Sequence, residues 1–381
     1  MKLIYIANIR LPTEKAHGLQ IMKTCEALAK QGIEIELIVP RRLNHLTDAP
    51  FEFYGVKKKF KVTMLWCLDL VSLNIFGAVG FWLESWTFCH AVKKYLHTQN
   101  KAVYYTRDLP IAYWLSKDLS PIFYEIHTLP DRISFKYKET WDRCGGLVVI
   151  SDGIKQGLMR HGIAAEKVLL ARDAVDLQMF ENLPDKINCR QKLNLQLDKK
   201  IVLYTGHLYE WKGAGILAEA TRLLPNSSGI EIYIVGGTQD DVDTFKNKYG
   251  DIEHLHIMGW QNHTGIPLWL RAADILVIPT SAEEKIGAVY TSPMKLFEYM
   301  LAERPIVVSD VSSLREVLDD SSAFFFKPND CVSLAATLEK VVADYFETKN
   351  KVAKAFDVVI KKYSWKRRAD LIKSFVFNHH E

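Results

Sequence analysis

The chain has 381 residues, enough for two domains of ordinary size, and its 48% apolar and 25% charged residues are the composition of a globular protein. Its 49 Lys and Arg against 45 Asp and Glu leave a net charge of +4, which permits an anionic substrate or a membrane surface but falls short of the basic bias of a nucleic-acid binder. Six cysteines, Cys25, Cys67, Cys89, Cys144, Cys189 and Cys331, are scattered without metal-type or redox-type spacing, so reduced thiols, a cytoplasmic setting and no metal are expected.

Met1 to Ala7 is too short for the apolar region of a signal peptide, and the longest uncharged run, Leu70 to Leu83, is too short to span a bilayer, so neither leader nor membrane span is expected. Lys2 to Asn8 reads as a strand, Ile9 to Gly18 as a loop, Leu19 to Gln31 as an amphipathic helix closed by Gly32, and Ile33 to Pro40 as the next strand. This is a strand-helix-strand unit of Rossmann type, but it lacks the Gly-x-Gly-x-x-Gly fingerprint, which counts against an NAD enzyme. Gly18 at the helix entrance is either a turn residue or a place where a phosphate approaches the first helical amides.

Lys57, Lys58, Lys59 and Lys61 read as a solvated basic face, and Phe76, Phe81, Trp82, Trp86 and Phe88 as core; basic and aromatic stretches side by side leave peripheral membrane contact open. Ala102 to Tyr105 is a strand leading to Arg107, and Ile122 to Ile126 a strand ending at His127, with Glu125 two residues before it. Ligands of parallel sheets bind beyond the carboxyl ends of the strands, which makes Arg107 and His127 candidates. After a strand from Gly146 to Ser151 and a helix from Asp152 to His161, the polar stretch Glu181 to Lys200 reads as a linker. The expected first domain is therefore 1–182 and the second 183–363.

The second half repeats the pattern. Ile201 to Thr205, Ile230 to Val235, His254 to Met258 and Ile275 to Pro279 are strands, and Gly206 to Gly213 is a loop before a helix. Two consecutive Rossmann-like α/β halves are the simplest architecture. Further on, Ser292 suits a helix N-cap and Pro293 the first helical position, and the helix runs to about Ala302 before Pro305 ends it. It is apolar almost all round, so Glu298 within it needs a partner. Lys295 across one turn would contribute only ~0.2–0.5 kcal/mol at a surface, and ligand hydroxyls are the alternative.

The segment Ser292-Pro293-Met294-Lys295-Leu296-Phe297-Glu298-Tyr299-Met300 resembles the donor-site segment of family-4 retaining glycosyltransferases of the GT-B fold. The resemblance implies two Rossmann-like domains facing each other across a cleft, with a C-terminal helix, 364–381, crossing back to complete the first. It implies that Glu298 binds the ribose of a nucleotide sugar, with Thr291, Ser292, Met294 and Lys295 on the donor side. Gly206 to Gly213 resembles the family's Gly-Arg-Leu-x-x-x-Lys-Gly. Lys212 matches the diphosphate-binding lysine, and His207 stands where Arg is usual, trading a permanent forked cation for a pH-dependent one. Gly259-Trp260-Gln261 resembles the base-binding turn, with Trp260 as a core cap the other reading.

Tyr124 to His127 resembles the strand-end His near the acceptor and the transferred sugar, which puts Arg107 on the acceptor side, while Gly18 would face the donor phosphates. Lys366, Arg367 and Arg368 read as the wet face of the last helix. Three positions depart from the family pattern: Tyr290 stands in place of an earlier Glu, Asp173-Ala174 in place of Asn-Gly, and Pro293 has no N–H. The implied reaction moves a sugar, with retention, from a nucleoside diphosphate to a glycan, lipid-linked or small-molecule acceptor. It needs no cofactor or metal and no nucleic acid, and takes place in the cytoplasm or at the inner face of the membrane. A sugar-nucleotide or polysaccharide binding protein, an epimerase and a phosphorylase are the rival readings.

Overall fold

A computed structural model describes residues 1–70, 77–97 and 101–378; Phe76 lies outside them. Runs such as Leu3 to Ile6 and Ile275 to Ile278 are buried on both faces, and this makes them central strands of parallel sheets rather than half-exposed ones. The first sheet holds β1 (Lys2–Ile6), β2 (Glu34–Pro40), β3 (Lys61–Leu65), β4 (Val103–Thr106), β5 (Ile122–Ile126), β6 (Gly146–Val149) and β7 (Val168–Leu170), ordered β3-β2-β1-β4-β5-β6-β7. The second holds β8 (Lys200–Thr205), β9 (Ile230–Val235), β10 (Leu255–Gly259), β11 (Ile275–Ile278), β12 (Ile306–Ser309) and β13 (Phe324–Phe326), ordered β10-β9-β8-β11-β12-β13. Every pairing is parallel. In both sheets the order reverses between the first and fourth strands, so β1 and β4 in one, and β8 and β11 in the other, flank the switch point where open α/β sheets bind ligands.

The chain divides into Met1–Asp173 with Trp365–Glu381, and Ala174–Ser364. The boundary therefore falls before the expected 182/183. Val175 forms a β-bridge with Ser364, its N–H donates to Tyr363 O at 2.9 Å, and Leu177 and Phe180 pack on the core of the second unit. Polar composition after Glu181 had pointed to a linker too far along. The last helix, Trp365–Asn378, packs in the first unit: Phe375 meets Phe123 with ring centroids 5.7 Å apart, and Lys373 Nζ donates to Gln31 O at 3.1 Å.

Two helix starts differ from expectation. The first helix is Ala16–Lys30, so Gly18 lies inside its first turn. The helix expected from Pro293 is Met294–Leu301, with Pro293 at the N-cap and no side-chain cap bond, because Ser292 lies outside the helix. A single π-helical turn, Ile286–Tyr290, precedes it.

Candidate functional site

In the second unit, the end of β8 is where the loops converge. Gly206 has φ 132° and Gly236, at the end of β9, has φ 124°; a Cβ on Gly236 would lie 2.3 Å from Gly206 O. Only glycine allows the two backbones to approach this closely. The loop then carries Lys212 to Gly213, whose φ of 76° and lack of side chain let it sit against Pro279 O, just after β11. Ser281 N–H donates to Trp211 O at 2.9 Å, so the Lys212 loop is tied to the strand on the other side of the switch point.

Lys295 reaches the same place from the helix Met294–Leu301. Tyr299 OH accepts the Thr205 N–H at 2.7 Å and docks the helix on the end of β8; one turn earlier, Lys295 Nζ donates to Thr205 O at 3.2 Å. That ammonium lies 3.9 Å from the Tyr204 ring centroid and would be 3.6 Å from a Cβ on Gly206. Burial pushes Lys212 down to about 8. Burial also pushes Lys295 well below the usual lysine range; the charge of Lys212 lowers it further, and Glu298 opposes. Two buried lysines at a glycine-lined strand end, the charge of Lys212 disfavouring that of Lys295, form a site that an anion would relieve.

Glu298 is 9% exposed, and its Oε1 lies 2.7 Å from His263 Nε2. Its protein partner is therefore His263 on the loop after β10, not Lys295, whose ammonium turns to Thr205. Gly259 closes β10 with φ 71°, and its carbonyl accepts Gly236 N–H at 2.8 Å. Trp260 is 45% exposed, so it does not cap the core; Gln261 beside it is half-buried. Thr291, Ser292 and Met294 lead into the helix, with Ser292 buried. The His207 ring stacks on Tyr209 at 5.1 Å with Nδ1 3.9 Å from Asp241, and the cation beside Lys212 is Lys295. Glu283 and Glu284 are exposed, and Tyr290 ends the π-helical turn.

In the first unit, β4 and β5 bring Arg107 and His127 together through shared partners. Arg107 donates to Gln20 Oε1 at 3.0 Å, and Gln20 Nε2 donates at 2.6 Å to Glu125 Oε1, the same oxygen that lies 2.7 Å from His127 Nε2. Arg368, from the last helix, donates to that oxygen as well, at 2.7 Å. Arg368 is 3% exposed, whereas Lys366 and Arg367 are exposed, so the wet-face expectation fails for this one residue. Its spacing from Trp365, Ala369 and Ile372 puts it on the buried face, a signal the sequence carried. Gly18 is not part of this group. Its N–H donates to Lys15 O at 3.0 Å, and the Tyr54 hydroxyl fills the space where a Cβ would go, so packing rather than phosphate approach accounts for it. Gln20 and His263 escaped sequence reasoning because neither stands in a recognisable motif. Among the described residues no group of three or more His, Cys, Asp or Glu side chains could hold a metal ion.

Residues 199–344 match the family model described as glycosyl transferases group 1. An uncharacterized glycosyltransferase of Methanocaldococcus jannaschii, MJ1607, is 26% identical over 239 residues, 61% of this chain and 59% of the relative. The chain spans about half the length of the curated relatives it matches. Sucrose-phosphate synthase from Thermosynechococcus elongatus superposes with a TM-score of 0.80 at 16% identity, covering 98% of both chains. HepE of Anabaena, solved in complex with UDP, superposes with a TM-score of 0.76 at 15% identity over 98% of this chain and 99% of that one. The stretch 199–344 is thus similar to the glycosyl transferases group 1, and the chain that carries it has the GT-B fold.

Proposed function

We propose that the protein is a retaining glycosyltransferase that moves a sugar from a nucleoside diphosphate to a hydroxyl of a glycan, lipid-linked or small-molecule acceptor. The observation that carries this reading is the convergence of Lys212 and Lys295 on the end of β8, with Glu298 one turn beyond Lys295. Cleaving a glycosyl phosphate bond places negative charge on the departing diphosphate, and two fixed ammonium groups stabilise that charge as it develops. Glu298 has a second carboxylate oxygen besides the one facing His263, and it suits the ribose hydroxyls; Gly259, Trp260 and Gln261 take the base. His127 and Arg107 serve the acceptor and the transferred sugar. Same-face substitution needs neither a protein nucleophile nor a metal.

Screening UDP-, GDP- and ADP-sugars for nucleoside diphosphate release tests the reading. One donor is expected to give turnover that requires an acceptor, and Glu298→Ala is expected to weaken its binding at least tenfold. Binding without turnover under any acceptor would leave a sugar-nucleotide binding protein instead. Release of diphosphate unaffected by Glu298→Ala would remove the ribose assignment.

Peripheral membrane contact through the first unit is part of this proposal. Trp66 and Trp86 are 65% and 55% exposed, Val79 and Leu83 are exposed beside them in sequence, and Lys57, Lys58, Lys59 and Lys61 are exposed as well. Among the described residues, no helix is long and apolar enough to cross a membrane. Co-sedimentation with vesicles containing anionic lipid is expected to fall at least severalfold in Trp66→Ser/Trp86→Ser, with the melting temperature unchanged; equal sedimentation of the two proteins would sink the idea.

A further inference from the structure

Glu125 stands next to the end of β5 with none of its surface exposed, and it is saturated with donors. Its Oε1 lies 2.6 Å from Gln20 Nε2, 2.7 Å from His127 Nε2 and 2.7 Å from Arg368 Nη2; its Oε2 accepts from the Tyr105 hydroxyl. Arg368 is locked in turn by a 2.6 Å bond to Ala171 O. Burial alone would raise the Glu125 carboxyl, but the Arg368 charge and the His127 bond hold it well below the usual carboxylate range. It therefore has no proton to give, and the proton in the Glu125–His127 bond belongs to Nε2. Burial, then the charge of Arg107, lowers His127, with Glu125 and Asp173 opposing; Asp108 also faces the ring. A neutral imidazole whose single proton sits on Nε2 presents a lone pair at Nδ1. The side chain is 21% exposed, and among the described residues nothing is bonded to Nδ1.

We propose that Arg368 and Glu125 are positioning residues that fix His127 as the Nε2-protonated tautomer, so that Nδ1 accepts a hydrogen bond from a hydroxyl of the transferred sugar or of the acceptor. The inference rests on the glycosyl-transfer reading for its ligand. An acceptor nitrogen at this point pairs with an O–H and disfavours an anionic oxygen, so the group it receives is a neutral hydroxyl rather than a carboxylate or phosphate. The last helix thereby acts on the site through Arg368, which sets the charge of the carboxylate that sets the tautomer.

Nitrogen-15 NMR of histidine-labelled protein tests this without any substrate, with the His127 signals assigned by their loss in His127→Gln. Between pH 6.5 and 8, Nε2 is expected in the protonated range and Nδ1 in the unprotonated range. Glu125→Gln, whose amide can donate, is expected to populate the other tautomer. Arg368→Met, by removing a nearby positive charge, is expected to shift His127 titration upward, and Arg368→Lys to restore it partly. If either replacement fails to fold, the wild-type spectrum still decides. A wild-type His127 protonated on Nδ1, or on both nitrogens at pH 7.5, would overturn the proposal whether or not the protein transfers sugars. Where turnover is measurable, Glu125→Gln is expected to lower kcat at least tenfold with nucleotide affinity unchanged; a loss confined to affinity would also count against it.

Discussion

Replacing Lys295 with methionine is expected to weaken nucleoside diphosphate binding by about 10- to 100-fold, the worth of a hydrogen bond to a charged group, while raising the melting temperature. The two effects have one cause. The Lys295 ammonium is held against Tyr204 and Thr205 by packing and one carbonyl bond, while burial and the neighbouring Lys212 both work against its charge. Methionine keeps the straight apolar chain over the ring and removes the cost. The sign with pH follows. A lysine whose folded value is depressed penalises the folded state while it is charged, so the gain in melting temperature is larger at pH 6 than at pH 9.

The same linkage acts on the ligand. Lys212 sits at about 8, so above that pH the pair has lost charge that a diphosphate must draw back in. Nucleotide affinity is expected to fall as the pH rises through about 8, where Lys212 loses its proton, with proton uptake detected by calorimetry in buffers of different ionisation enthalpy. His207 provides the contrast, because its ring lies on Tyr209 and faces Asp241. If His207→Ala abolished binding while Lys295→Met left it intact, the second cation would be His207 after all.

Glu125→Leu is expected to cost the first unit about 3–5 kcal/mol, because it removes the carboxylate bonded to the buried Arg368 and leaves Asp173 as its remaining opposite charge. Both side chains are essentially inaccessible, 0% and 2% exposed, so water cannot take the place of the carboxylate. For a unit of this size the melting temperature should fall by about 6–20 °C. The double replacement Glu125→Leu/Arg368→Met should recover much of that loss, since exchanging a whole buried pair for apolar groups is often neutral. A single Glu125→Leu variant that melts with the wild type would show that the pair is not the closed ionic contact described. Acid should act in the same direction as the mutation. The folded carboxyl of Glu125 is depressed, so its contribution is present above the ordinary carboxylate value and is lost as the pH falls through the folded one.

Much of the fold could be read from sequence because its causes are local. Apolar runs bounded by glycine and polar turns become buried parallel strands, and the Lys212–Gly213 turn and the helix before Pro305 follow from glycine, proline and apolar spacing within about ten residues. The capping of that helix was misplaced by one residue: Ser292 has the right chemistry for a cap, but tertiary contacts drew it into the buried interior instead. The domain boundary was misplaced for a related reason, since Val175 belongs to the second unit only through its pairing with Ser364.

By itself the sequence determined an α/β chain of two repeated halves and set at their strand ends the residues proposed to hold a phosphate and a ribose. Which groups meet was decided only by the tertiary structure. Glu298 faces His263, 35 residues away, rather than its helical neighbour Lys295; Lys295 rather than His207 joins Lys212; and Glu125 finds Arg368 across 243 residues. Pairings of this kind leave no local signature, because a buried ion accepts whichever opposite partner the packed elements bring within about 3 Å, and the order of strands in a sheet, not their order in the chain, sets that distance.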